Sequence, residues 1–83
     1  MKTMISLKQI TYILAVEKTL HFKKAAKLCS VSQSALITAI TEMERQLGFL
    51  IFERDNKKIL ITPVGAQCLK KAQNIKLQMN DLS

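Results

Sequence analysis

The stretch from Phe22 to Gly48, FKKAAKLCSVSQSALITAITEMERQLG, constrains this chain more than any other. Its first part predicts a short helix over about residues 23–29. Ala25 and Ala26 are small enough to admit a close helix neighbour, and Ala25, Leu28 and Cys29 are expected to form the inner face. Ser30-Val31 makes the turn, with Val31 plugging the gap between helices. Ser32 is a good N-cap for a longer helix. There Leu36, Ile40, Met43 and Leu47 recur at spacings of 4, 3 and 4, which marks one buried face. Ser34, Ile37, Thr38, Thr41 and Arg45 fall on the other side, and Gly48 supplies the left-handed residue that ends the helix. Short helix, tight turn and longer helix with a free face of mostly small side chains is the plan of a helix-turn-helix.

The flanks fit around that pair. Ser6 with Gln9 three residues on forms a capping-box pattern, and Ile5 and Ile10 are placed as a hydrophobic staple. Leu7, Ile10, Ile13 and Leu14 then give a first helix an apolar face, ending near Lys18-Thr19. After Gly48 the period changes. FLIFER and ILIT are short β-prone runs around Asp55-Asn56-Lys57-Lys58, predicting a hairpin, or wing, over residues 50–61 with a basic tip. Thr62 caps a last helix that has Pro63 at its first position, where the missing N–H costs nothing. Along it Cys68, Ala72, Ile75, Met79 and Leu82 are spaced 4, 3, 4 and 3, a short a/d seam suited to pairing with a second copy. The expected organisation is a mostly α winged helix-turn-helix, three helices and a two-stranded wing, over residues 1–62. A dimerisation helix follows over residues 63–83. The alternative for that helix is packing on its own domain.

Charge narrows the partner. Thirteen basic and six acidic residues among 83 give a formal net charge of +7. Such a balance favours a polyanion, nucleic acid or an acidic membrane surface, over an uncharged partner, the alternative being a solubilising lysine coat. The charge is unevenly placed. Residues 1–31 carry six lysines and one glutamate, whereas residues 32–48 carry Glu42, Glu44 and Arg45. Positive charge therefore flanks the second helix of the pair and does not sit on it. This is the division of labour expected where lysines hold phosphates and short side chains approach base edges. Lys23 and Lys24 at the start of the short helix, and Lys57 and Lys58 at the wing tip, are the candidate phosphate contacts. Gln33 can bond a base edge, and Ser34, Thr38 and Thr41 can reach bases or phosphates. Ile37 either meets a thymine methyl or packs locally.

Other chemistries find no support. The lone His21 and the distant Cys29 and Cys68 lack metal-ligand spacing, so no metal or cofactor is expected. His21 suits a helix-capping or surface place. Glu42 and Glu44 are two apart on a helix and face different ways, so they are no carboxylate pair. Two glycines cannot build a phosphate loop. No enzyme is expected. No apolar run approaches the ~20 residues that span a bilayer, and Met1-Lys2 does not open a signal peptide. The expected compartment is the cytoplasm, with the cysteines as small buried hydrophobes.

AAKLCSVSQSAL, followed by I-x-x-M-E-R-Q-L-G, then I-F-E-R and I-T-P-V-G, resembles the N-terminal winged helix-turn-helix domain of the LysR-type transcriptional regulators. The resemblance spans about residues 5–83. It implies the DNA-binding fragment of a longer bacterial transcription regulator, with an effector-sensing domain beyond it. It further implies binding to interrupted palindromes in promoter DNA as a homodimer paired through the linker helix. A tetramer in the full-length protein, and RNA polymerase as a further partner, also follow from it. Carried over by position, the family's DNA contacts fall on Ser32, Gln33, Ser34, Ile37 and Thr38, and on Arg54 and Lys57 of the wing. Ser34 stands where the family often has proline, Ile37 where it has serine, Thr38 where it has arginine, and Lys23 replaces a serine or threonine. HFKKAAKLCSVSQ is also similar to the peroxide-sensing subgroup, whose redox cysteines lie in the sensor domain, so Cys29 is not expected to be a peroxide switch.

Two rivals remain at this level: a stand-alone winged-helix protein, such as a small repressor or a molybdate-responsive type, and a coiled-coil interaction module whose charge serves solubility alone. An anionic-membrane binder is a more distant third, because the apolar faces are committed to a core.

Overall fold

Ser6 opens the first helix as its sequence requires. Its hydroxyl accepts from the Gln9 backbone N–H at 3.1 Å while Gln9 Oε1 accepts from the Ser6 N–H at 2.9 Å, a complete capping box. The computed structural model describes residues 5–82, the side chain of Leu82 excepted. Six elements follow in chain order: α1 (Leu7–Thr19), α2 (Phe22–Leu28), α3 (Gln33–Leu47), β1 (Phe52–Asp55), β2 (Lys58–Ile61) and α4 (Pro63–Leu82). The winged helix-turn-helix expected from the sequence is thus present among the described residues.

The core collects one face of each helix and the inner edge of the hairpin. Ile13, Leu36, Ile51, Leu69 and Val16 are fully buried, joined by Ala25, Ala26, Ile40, Met43 and Phe52. Each large side chain withdrawn from water contributes ~1.5–3 kcal/mol. Leu36, Ile40 and Met43 mark the buried face of α3 as their spacing predicts, with Leu47 half-buried beside them. Ala25 and Ala26 bring α2 against its neighbours, and Val31 packs on the core from the turn. Leu28 corrects the expected inner face of α2: it is 60% exposed. The helix is only seven residues long, and Ala25 and Ala26, with Phe22 half-buried beside them, form its contact face. In α1 Leu7 also lies outside, and Val16 takes its place in the core. Gln9, the one buried polar side chain among the described residues, donates from Nε2 to the Ala39 carbonyl at 3.2 Å, tying α1 to α3.

The wing is a two-residue hairpin in register Phe52↔Ile61, Glu53↔Leu60, Arg54↔Ile59 and Asp55↔Lys58. Its turn, Asn56-Lys57, has φ of 49° and 71°, both left-handed. That is the sign a tight antiparallel connection needs if it is to follow the strands' twist.

The root of the wing is more elaborate. Glu44 Oε2 accepts from the N–H groups of Ile51 and Phe52 at 2.7 and 3.1 Å. Thr62 Oγ1 donates to the Leu50 carbonyl at 2.6 Å and accepts from the Gly65 N–H at 2.8 Å, so one hydroxyl fastens the wing and caps α4. Gly65 is required by space: a Cβ there would lie 2.3 Å from the Ile51 carbonyl oxygen.

Early in α4, Leu69 and Ala72 point into the shared core, and Gln73 Nε2 donates to Glu17 of α1 at 2.8 Å. Further on Ile75, Leu77 and Met79 are exposed. Among the described residues no helix is long and apolar enough to cross a membrane.

Candidate nucleic-acid interface

The free face of α3 lies between α2 and the wing. Ser32 caps α3, its hydroxyl accepting from the Ala35 N–H at 3.1 Å and lying 3.4 Å from that of Ser34. Gln33, Ser34, Thr38 and Thr41 are exposed along this face. Ile37 is half-buried and lines a small hollow with Phe22, Phe52 and Arg54, so local packing accounts for much of it.

A cleft of about 200 Å³ opens where the start of α3 meets α2 and the wing. His21, Lys23, Gln33, Arg54, Lys57 and Lys58 line it. Five candidate residues from α2, α3 and the wing, Lys23, Gln33, Arg54, Lys57 and Lys58, are therefore brought to one place. Lys24 does not line the cleft. It is exposed on α2, where its N–H donates to His21 Nδ1 at 3.3 Å. His21 is the N-cap of α2, the capping place its position suggested.

The cations of the cleft lack acidic partners. Among the described residues the one salt bridge is Arg45–Glu42, whose guanidinium Nε lies 3.1 Å from Glu42 Oε2. Arg54 has a different neighbour: its Cζ sits 4.6 Å from the centroid of the Phe22 ring, a cation–π contact. Lys57 is held in the left-handed region, where a residue with a Cβ costs ~1–2 kcal/mol. The ammonium is thus presented at the wing tip against a backbone preference. What this arrangement can do is receive anionic oxygens along the rim of α3 while amide and hydroxyl groups reach past them.

Phe22 and Glu44 are the residues whose parts the sequence pattern did not reveal. For Glu44 a signal existed: a carboxylate in the last turn of a helix opposes the helix dipole and so needs a partner of its own. For Phe22 the signal is weaker, an aromatic ring directly before two lysines.

Elsewhere, burial pushes the thiols of Cys29 and Cys68 up from their ordinary range, with nearby Lys76 and Lys71 only partly offsetting it. Both stay protonated at neutral pH. Among the described residues no group of three or more His, Cys, Asp or Glu could hold a metal ion. On the far side of the domain, Cys68, Ala72 and Ile75 of the expected seam line an open apolar groove of about 510 Å³ with Ile10, Met43 and Leu47. Ala72 itself is buried in its own core. Ile75 and Met79 are 42% and 44% exposed, and the side chain of Leu82 lies outside the described residues.

Three helices around one core, a hairpin beside the second helix of a tight pair, and a basic cleft between them define a winged helix-turn-helix domain. The chain belongs to the family described as bacterial regulatory helix-turn-helix protein, lysR family, whose profile matches residues 7–66. It is 38% identical over 82 residues to the HTH-type transcriptional regulator EstR of Acinetobacter baylyi, covering 99% of this chain and 27% of that protein. It is 31% identical over 71 residues to the DNA-binding transcriptional dual regulator OxyR of Escherichia coli, covering 86% of this chain and 23% of OxyR. The chain thus spans about a quarter of the length of these relatives. Among solved structures, full-length OxyR C199D from Pseudomonas aeruginosa superposes with a TM-score of 0.90 at 34% identity, covering 95% of this chain and 27% of that one. The CbnR DNA-binding domain in complex with DNA gives 0.86 at 28%, covering 92% and 87%.

Proposed function

We propose that this chain is the sequence-specific DNA-binding domain of a bacterial LysR-type transcription regulator that acts in the cytoplasm. It engages an interrupted palindrome as a dimer, with α3 in the major groove and the wing on the flanking backbone or minor groove. The observation that carries this reading is the cleft that gathers Lys23, Gln33, Arg54, Lys57 and Lys58 beside the exposed polar face of α3. Lysines and arginine without carboxylate partners are free to displace counterions from a duplex, and Gln33 is within reach of a base edge. Membership of the family and the likeness to a DNA-bound domain support the same reading. Residues 63–83 serve as the dimerisation helix. The exposed Ile75, which lines the apolar groove, and the exposed Met79 one turn further on are the support for that assignment. Tetramer formation and contact with RNA polymerase belong to the longer protein and are proposed for it on family grounds alone.

The test is binding to the intergenic DNA beside the chain's own gene, followed by anisotropy over a range of salt. Affinity should fall steeply with salt, log K declining by ~0.9 per log unit of salt for each phosphate contacted. Gln33→Ala should relax discrimination at one base position by roughly 1–3 kcal/mol and leave binding to random DNA almost unchanged. Equal losses on operator and random duplexes would remove its assigned role. No binding to any duplex at low salt, with dimerisation retained, would favour the coiled-coil module.

A further inference from the structure

We propose that Phe22 is a positioning residue for Arg54, holding its guanidinium ready for a DNA phosphate without neutralising it. This deepens the DNA-binding reading and rests on it. Strand alternation puts Arg54 on the same face of β1 as Phe52, and it is paired across the hairpin with Ile59. Phe52 and Ile59 are buried. A charged side chain in that inner row must either find a counterion or turn toward solvent over something apolar. Among the described residues no carboxylate lies within ion-pair distance of it. Glu44 lines the adjacent hollow, but its Oε2 already accepts two wing N–H groups. The guanidinium lies instead over the Phe22 ring at 4.6 Å, at the mouth of the basic cleft.

A ring and a carboxylate do different things to a cation. A carboxylate fixes the arginine and cancels its charge, so a phosphate must displace it. The face of an aromatic ring attracts the cation through its quadrupole and leaves the N–H edge unoccupied. Phe22 is well placed for this. It is the first residue of α2, half-buried and packed against the core, so the platform is rigid. The arginine has lost rotamer freedom before DNA arrives, and less is lost on binding.

A double-mutant cycle on a random-sequence duplex at low salt tests this, because phosphate binding is independent of sequence. Phe22→Leu should weaken binding about 2–5-fold, the range an exposed cation–π contact supports. In an Arg54→Gln background the same substitution should change nothing, and Phe22→Tyr should retain wild-type affinity. A merely structural Phe22 would give equal losses in both backgrounds, which would overturn the assignment. Should Phe22→Leu fail to fold, the wild-type chain still decides the geometry. The Arg54 side-chain protons should be shifted upfield by the ring in NMR spectra without DNA, and ordinary shifts there would overturn the pairing. Failure of the wild-type chain to bind any duplex would remove the DNA reading and this assignment with it, an outcome distinct from equal losses in a chain that binds.

Discussion

The two arginines of this chain are treated in opposite ways. Arg45, near the end of α3, is forked onto Glu42 one turn away. Arg54, on the wing, has a phenyl ring beneath it and no carboxylate beside it. The contrast extends to the carboxylates. Glu42 quenches a cation, whereas Glu44, two residues on, faces another way and anchors the wing through the N–H groups of Ile51 and Phe52. One end of α3 is therefore devoted to holding the wing, and the wing in turn carries the uncompensated charge. Net charge alone would have counted the two arginines equally. Their neighbours decide which is available to a polyanion.

The comparison breaks most severely at the root. Gly65→Ala places a methyl group 2.3 Å from a backbone carbonyl that the wing cannot move without losing its anchor. Thermal unfolding should report a loss of about 3 kcal/mol, the upper end for forced overpacking. A loss below ~1 kcal/mol would mean that the root yields easily. Next in size is the direct contest between the arginines. Arg54→Ala should weaken DNA binding about tenfold or more, as expected for a charge-assisted contact worth ~1.5–3 kcal/mol, which converts to about 10- to 150-fold. Arg45→Ala should change affinity by less than about twofold, since an exposed pair contributes little. Similar losses for both would erase the distinction.

Lys57→Gly separates stability from function. Relief of the left-handed backbone at φ 71° should stabilise the fold by ~0.5–1 kcal/mol. Removal of the ammonium should weaken binding to all duplexes and flatten the salt slope by about one. The smallest effect is the most pointed. Glu42→Gln releases Arg45, and affinity at low salt should rise by about twofold and return to the wild-type value as salt screens it.

Much of the scaffold is legible in the sequence. Caps and stops are local, so Ser6, Ser32, Gly48 and Thr62-Pro63 announced the ends of helices that the structure places within a residue or so. The period of 3.6 found the buried face of α3, because a long helix repeats its signal often enough to be read. The same pattern failed on α2, where Leu28 lies outside, because two turns carry too few repeats to fix a face. It was incomplete on α4. The a/d spacing picked out Ala72 but missed Leu69, which the domain core takes. Ala72, a member of the expected seam, is taken by the domain's own core, while Ile75 and Met79 stay exposed.

The sequence by itself determined the order of the elements, the basic flanks around a slightly acidic α3 and the family to which the chain belongs, all of which rest on local spacing or on strings of adjacent residues. Only the tertiary structure decided which charges are free. Phe22 and Arg54 are far apart in the chain, and Glu44 meets the N–H groups it holds only because the chain turns back after α3. Such pairings depend on where a hairpin lands against a helix, a distance that no periodicity encodes.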